Sequence, residues 1–128
     1  HRLLHWLNER YPGLPIYITE NGAAFDDQAD AGGFVDDQDR IAYLRAHIAA
    51  AGAALTEGVE LRGYFVWSLL DNLEWSEGFA KRFGIVRCER DTLKRTIKAS
   101  GHWYAKFSAD GRLDGTFAAR AAESGLSP

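Results

Sequence analysis

Glu20 is the residue of this sequence whose position best suits chemistry. It follows Ile16-Tyr17-Ile18-Thr19, a short β-branched and aromatic segment without alternation, which predicts a parallel strand buried on both faces. Asn21-Gly22 then predicts a sharp turn, because both residues tolerate positive φ. A carboxylate there lies at the C-terminal mouth of a parallel sheet, where barrels and open sheets carry their active sites. Position alone leaves two interpretations open: a catalytic carboxylate, or a structural glutamate that caps a loop or pairs with an arginine.

A second cluster combines aromatic side chains with a carboxylate. Trp67 lies near the end of another apolar segment, Glu74-Trp75 follows in a polar loop, and Phe83 comes shortly after. Aromatic rings stack on the apolar faces of sugars, and carboxylates accept hydrogen bonds from their hydroxyl groups. The cluster therefore predicts a sugar site on the same rim as Glu20. The alternative is that the aromatic residues fill the core, and it is favoured for three others: Phe65, Phe79 and Trp103.

The elements that must position these residues follow the order helix, strand, helix, strand, helix. We predict them at residues 1–11, 16–19, 37–56, 61–70 and 96–107, with a loop at 71–83 and a brief extended piece at 84–86. The long helix carries one apolar stripe, formed by Ile41, Leu44, Ile48, Ala51 and Leu55. Thr96 is expected to cap the last helix. Each strand precedes a crossover long enough for parallel pairing, so the order predicts a βα repeat with too few strands to close a barrel.

Two long motifs make the resemblance specific. Ile18-Thr19-Glu20-Asn21-Gly22 and the run at 63–75, Gly-Tyr-Phe-Val-Trp-Ser-Leu-Leu-Asp-Asn-Leu-Glu-Trp, are followed by Gly78-Phe79 and Arg82-Phe83-Gly84-Ile85. Over residues 1–107 the chain resembles the C-terminal quarter of a family 1 glycoside hydrolase, the β-glucosidase family. The resemblance implies an α/β fold, namely the sixth helix, seventh strand, seventh helix, eighth strand and eighth helix of a (β/α)8 TIM barrel.

The resemblance also implies roles for individual residues. Glu20 matches the nucleophile of a retaining β-glycosidase, which works by double displacement. Trp67 matches the floor of the sugar subsite next to the scissile bond, Glu74-Trp75 the pair that binds hydroxyl groups at its far edge, and Phe83 an aromatic lining residue. The acid/base glutamate lies in an Asn-Glu-Pro motif of the family, and no such motif occurs in these 128 residues.

The residues of the 71–83 loop indicate whether the sugar that is bound carries a phosphate group. A branch that takes 6-phosphorylated sugars reads the phosphate with Ser, Lys and Tyr in this loop. Lys81 fits the Lys position, whereas Glu74 and Phe83 stand where the Ser and Tyr would be. Because a carboxylate repels a phosphate, we expect neutral β-glycosides or cello-oligosaccharides as substrates.

Other classes of site and partner find little support. The formal net charge of −3 favours neither nucleic acid nor an anionic membrane, and no apolar run is long enough to span one. The acidic residues between 26 and 39 do not fit a calcium loop and predict a solvated loop with a helix N-terminus. The four histidines look scattered, so we expect no metal site, and nothing calls for a cofactor. The single cysteine, Cys88, suggests a reducing, cytoplasmic location.

The beginning of the chain predicts a fragment. It starts at His1 and contains no methionine, and residues 108–128 are interpreted as a polar, then Ala-rich tail of uncertain order. Two hypotheses therefore stand: a piece of a β-glucosidase that is inactive alone because the acid/base is missing, or a non-catalytic fragment acting in folding, self-association or weak sugar binding. Two barrel strands leave edges and apolar faces bare, so we expect the piece to self-associate or to need the rest of the barrel.

Overall fold

The computed structural model of the protein describes residues 1–111, and most of the predicted tail at 108–128 lies outside them. Residues 1–111 form three helices, α1 (Arg2–Arg10), α2 (Gln38–Thr56) and α3 (Ala99–Asp110). The strands are β1 (Ile16–Asn21), β2 (Leu61–Val66), β3 (Val86–Cys88) and β4 (Arg95–Ile97). A single turn of 3-10 helix covers Trp75–Glu77. Within residues 1–111, no helix combines the length and apolarity needed to cross a membrane.

Strands β1 and β2 pair in parallel, as predicted, with α2 as the crossover between them. Ile16 lies opposite Leu61, and Asn21 lies opposite Val66, with two irregularities of register between these pairs. Strand β2 ends at Val66 and not at Leu70. The reason is that Ser68 exchanges hydrogen bonds with the returning segment instead, donating to Phe83 O at 3.2 Å and accepting from Ile85 N at 2.9 Å.

The core lies between the sheet and the helices. One cluster contains Leu4 of α1, Ala51 and Ala54 of α2, and Val59. The other is built on Leu44, Ile48 and Ile85, against which Trp103, Tyr104 and Phe107 of α3 pack. The stripe on α2 is confirmed except at Leu55, which is 43% exposed while Ala54 takes the buried place.

The opposite face of the sheet is open in the part of the chain that the structure describes. Tyr17 and Phe65 lie there, 52% and 58% exposed. Gly63 lies between them, since a Cβ atom at Gly63 would come within 2.6 Å of the Tyr17 ring and 3.3 Å of the Phe65 ring. The predictions that β1 is buried on both faces and that Phe65 belongs to the core are wrong within residues 1–111, because the helices of that part cover one face alone.

The C-terminal part contains a hairpin that the sequence did not predict. Strands β3 and β4 pair antiparallel, with Arg87 opposite Thr96. Thr96 therefore lies in a strand, Lys98 is the residue that precedes α3, and the predicted cap is wrong. The Thr96 hydroxyl is buried without a hydrogen-bond partner. Helix α3 runs from Ala99 to Asp110, three residues past the predicted end at 107.

Candidate active site

Glu20 is the penultimate residue of β1, at the C-terminal end of the two parallel strands. Asn21 directly follows Glu20, and Trp67 directly follows Val66, the last residue of β2. The backbone N–H of Trp67 donates a hydrogen bond to Asn21 O at 3.0 Å. The Glu20 side chain is exposed. The strand pairing therefore brings the chain positions of Glu20 and Trp67 to one edge of the sheet, as predicted, and leaves the carboxylate accessible to solvent.

The turn after Glu20 is fixed by close packing and not by an unusual backbone angle. Neither Asn21 nor Gly22 adopts positive φ, so that part of the prediction is wrong. A Cβ atom at Gly22 would lie 1.7 Å from Trp67 O and 2.8 Å from Trp67 C. Only hydrogen fits in that space, so glycine is required here by the neighbouring strand.

Two tyrosines hold the same turn from the helix side. The Tyr64 hydroxyl donates to Asn21 Oδ1 at 2.6 Å, and the Tyr43 hydroxyl donates to Gly22 O at 3.1 Å. Burial raises the pKa of Tyr64 above its ordinary value, and the neighbouring hydroxyls of Tyr43 and Tyr104 raise it further. Tyr64 thus remains a hydrogen-bond donor to the turn at any ordinary pH. Sequence reasoning missed this role, since Tyr64 looked like one more apolar strand residue.

The loop after β2 returns to the strand ends. Ser68 pairs with Phe83 O, as described above, and Phe25 N, on the loop after β1, donates to Arg82 O at 3.1 Å. Phe83 is half-buried and lies next to the peptide that Trp67 forms with Ser68. The structure therefore brings the backbone at Trp67 and Phe83 together beside the turn that follows Glu20.

Glu74 and Trp75 lie at the tip of that loop. Glu74 N donates to Gly78 O at 2.6 Å, and Glu77 N donates to Glu74 O at 2.8 Å, which closes a tight turn. Trp75 occupies positive φ at 35° and is 90% exposed, whereas Glu74 is half-buried. The tip thus presents an indole ring almost entirely to solvent.

The other two aromatic residues assigned to the core differ from each other. Phe79 is 43% exposed, and the Arg90 guanidinium carbon lies 4.1 Å above its ring, so the prediction that it belongs to the core is wrong. Trp103 is half-buried, packs against the cluster around Leu44, and stacks on Phe107 with 6.0 Å between ring centroids.

A network of buried charges lies beneath the strand-end loops. Arg40 pairs with Asp37 and lies 3.0 Å from Asp27 Oδ2, and Lys98 Nζ lies 2.5 Å from Asp27 Oδ2 and 2.7 Å from Asp71 Oδ1. All five side chains are at most 9% exposed. The prediction of solvation is wrong for Asp27 and Asp37, because both are buried against cations, whereas Asp37 does lie at the N-terminus of α2 as predicted.

This network ties the two loops to the helices behind them. Asp37 accepts hydrogen bonds from the backbone N–H of Ser100 at 2.8 Å and from its hydroxyl at 2.6 Å, which joins α2 to α3. Asp71 accepts from Gly84 N at 3.1 Å, and Arg40 donates to Arg82 O at 2.8 Å. The network thus fixes the segment that carries Phe83. Sequence reasoning missed it, because spacing does not say which of many aspartates meets a buried cation.

Two of the histidines also meet, although the sequence made them look scattered. His1 and His5 are four residues apart at the start of α1, and both Nε2 atoms lie within 2.8 Å of Glu57 Oε2. Their one-turn spacing was a signal that could have been used. Among residues 1–111, these three form the group whose ligand atoms lie close enough together to hold a metal ion.

Comparison of the sequence with known proteins identifies the family of this chain. The sequence profile of Glycosyl hydrolase family 1 matches residues 1–112. The chain is 54% identical over 112 residues to β-glucosidase A of Thermotoga maritima, covering 88% of this chain and 25% of that protein. It is 46% identical over 108 residues to a bifunctional β-D-glucosidase/β-D-fucosidase of Bifidobacterium breve, covering 81% and 24%.

A solved structure agrees with these relatives. A family 1 β-glucosidase from Thermotoga maritima, in complex with isofagomine lactam, superposes with a TM-score of 0.85 at 53% identity, covering 88% of this chain and 26% of that one. The structural neighbours are TIM barrels, and the chain spans about a quarter of the length of the relatives it matches. With a family profile that matches most of its length, the chain belongs to Glycosyl hydrolase family 1.

Proposed function

We propose that this chain supplies the nucleophile of a retaining β-glycosidase, with Glu20 in that role. The observation that supports the proposal is the hydrogen bond between Trp67 N and Asn21 O. It joins the strand end that carries Glu20 to the strand end that carries the aromatic residue best suited to stack on a sugar. In a member of this family, a solvent-accessible carboxylate beside such a residue suits attack on an anomeric carbon.

The proposed reaction is a double displacement. The ionised Glu20 carboxylate attacks the anomeric carbon and forms a glycosyl ester, while a second carboxyl protonates the leaving oxygen. That second carboxyl then activates a water molecule, which hydrolyses the ester. Retaining enzymes hold the two groups about 5–5.5 Å apart. Because no Asn-Glu-Pro motif occurs in the 128 residues, we propose that the chain alone turns over no glycoside.

The residues around Glu20 suggest how a sugar is held. Trp67 is 37% exposed and offers a stacking surface, and the half-buried Phe83 lines the same edge. Glu74 is proposed to accept hydrogen bonds from sugar hydroxyls. Trp75, at 90% exposure, can join it only if the loop tip closes over the sugar or against another segment. Since Glu74 is an anion, we propose neutral β-glycosides, including cello-oligosaccharides, as the substrate class.

A chimera tests this proposal with the chain as it is. The matching quarter of the Thermotoga maritima β-glucosidase A is replaced by residues 1–112, and hydrolysis of an aryl β-glucoside is measured. We expect the chimera to be active and Glu20→Ala to lower its kcat by at least about 10⁴-fold, because no nucleophile remains.

The matched control is Glu9→Ala, which removes an exposed glutamate from α1 and should leave kcat unchanged. If Glu20→Ala retained turnover close to that of the control, the role of Glu20 would be refuted.

A second candidate function is a non-catalytic one, favoured by the open face of the sheet. Tyr17 and Phe65 expose their rings there, and a bare apolar face favours association. We propose that the isolated chain self-associates or binds the rest of a barrel. The isolated chain should sediment well above its 14.2 kDa and show no aryl-glucosidase activity. A monodisperse monomer would contradict the association, and enzyme-like turnover would contradict the inactivity.

A further inference from the structure

Helices α1 and α2 bring three metal-binding side chains together far from the strand ends. Glu57 directly follows the last residue of α2, and Arg40 lies near the helix start. Glu57 lies 17 positions after Arg40 along the helix, which is about 25 Å along the axis. The group formed by His1, His5 and Glu57 is therefore separate from the candidate active site and its buried charges.

The geometry of the group is compact. His1 Nε2 and His5 Nε2 lie 2.8 and 2.6 Å from the same oxygen, Glu57 Oε2. The two imidazole rings are tilted by 51° with centroids 4.7 Å apart. The three candidate ligand atoms all lie within 4.8 Å of one another.

We propose that His1, His5 and Glu57 form a Zn²⁺ site that links α1 to α2. Two imidazole nitrogens and one carboxylate oxygen are a known set of three protein ligands for zinc, with water completing the tetrahedron. Each histidine binds as neutral imidazole through Nε2, with its proton on Nδ1, and Glu57 binds as the carboxylate. The zinc ion thereby replaces the two contacts that the rings make with Glu57.

The change of geometry that zinc requires is small. Bonds of about 2.0–2.1 Å in a tetrahedron separate neighbouring ligand atoms by roughly 3.3 Å. The nitrogen–oxygen distances must therefore open by about 0.5–0.7 Å from their present values. The side chains of His1, His5 and Glu57 are 41%, 30% and 49% exposed, so they can move without disturbing the core. The exposure also leaves room for the water ligand.

Titration of the full 128-residue chain with ZnCl₂, followed by calorimetry, tests the site. We expect one Zn²⁺ per chain, with affinity at least tenfold lower in His5→Ala and in Glu57→Gln. His102→Ala, which removes an exposed histidine of α3 outside the group, should bind as the unchanged chain does. Far-UV circular dichroism verifies that each variant keeps its helices. No saturable binding at millimolar zinc, or equal losses in His5→Ala and His102→Ala, would overturn the proposal.

A further measurement tests which atoms bind the ion. Co²⁺ in place of zinc should give the intense visible absorption of a tetrahedral site, and its absence in the unchanged chain would count against the proposed ligands.

Discussion

The loops that follow the two parallel strands are held in opposite ways. The loop after β1 is fixed by ion pairs to α2 and to the start of α3, since Asp27 and Asp37 are buried against Arg40 and Lys98. The loop after β2 is anchored at its ends and free at its tip, where Trp75 is 90% exposed. The turn beside the proposed nucleophile thus belongs to a rigid frame, while the proposed sugar-edge residues Glu74 and Trp75 lie at the tip of the other loop. We therefore propose that the loop after β1 holds the nucleophile in position, and that the tip of the loop after β2 closes over a substrate.

The largest effect should come from removing the shared cation of the frame. Arg40→Met keeps the stacking volume over Phe25 but leaves Asp27 and Asp37 with one cation fewer. Because breaking a buried ion pair leaves an uncompensated charge, we expect the free energy of unfolding, measured in urea, to fall by about 3–5 kcal/mol. Arg62→Met is the control, because its partner Glu60 is exposed, and it should cause no measurable change. Equal effects of the two substitutions would mean that the buried network does not anchor the loop.

A smaller effect is expected at the turn beside Glu20. Gly22→Ala places a methyl group against Trp67 O, a backbone atom that cannot rotate away. We expect a loss of about 2–3 kcal/mol in stability from overpacking. In the chimera, the displaced turn should lower kcat about 10²-fold. Gly32→Ala is the control, since a Cβ atom there would meet one heavy atom within 4 Å, the side-chain oxygen Asp30 Oδ1 at 3.3 Å, and no backbone atom. A stable, fully active Gly22→Ala chimera would refute the claim of a rigid turn.

The smallest effect is expected on the open face of the sheet. Gly63→Ala brings a Cβ atom within 2.6 Å of the Tyr17 ring, but that ring is half exposed and can swing outward. Unfolding of the isolated chain in urea should therefore change by about 1 kcal/mol at most. In the chimera the same substitution should cost more, because other barrel segments are expected to cover this face. The same small cost in both proteins would show that the face stays open.

Local pattern predicted much of the fold. Apart from the β3–β4 hairpin, the order of helices and strands is confirmed, as is the parallel pairing, because periodicity and crossover length are properties of neighbouring residues. The segment around Thr96 could not be predicted, since β4 exists through pairing with Val86–Cys88 and not through its own propensity. The end of β2 was misplaced for a similar reason, as Ser68 finds its partners 15 and 17 residues further along the chain.

The candidate site, like the fold, could be predicted where local motifs determine it and not where distant partners do. Motifs placed Glu20 and Trp67 on one edge of the sheet, which the structure bears out in the hydrogen bond that links their strands. Their chemical roles, and those of Glu74, Trp75 and Phe83, stay predictions. The frame of Asp27, Arg40 and Lys98 was not predicted, because burial of a charge depends on partners that lie far away in sequence.

The role of Glu20 can be tested most directly by trapping the covalent intermediate. The chimera is incubated with a 2-fluoro β-glucoside that carries a good leaving group, so that the glycosyl ester forms faster than it is hydrolysed. Mass spectrometry of its peptides then locates the label. We predict one fluoroglucosyl group per chain, attached to Glu20 in the peptide that contains Ile18-Thr19-Glu20-Asn21-Gly22. A label on any other carboxylate, with Glu20 unmodified, would contradict the account.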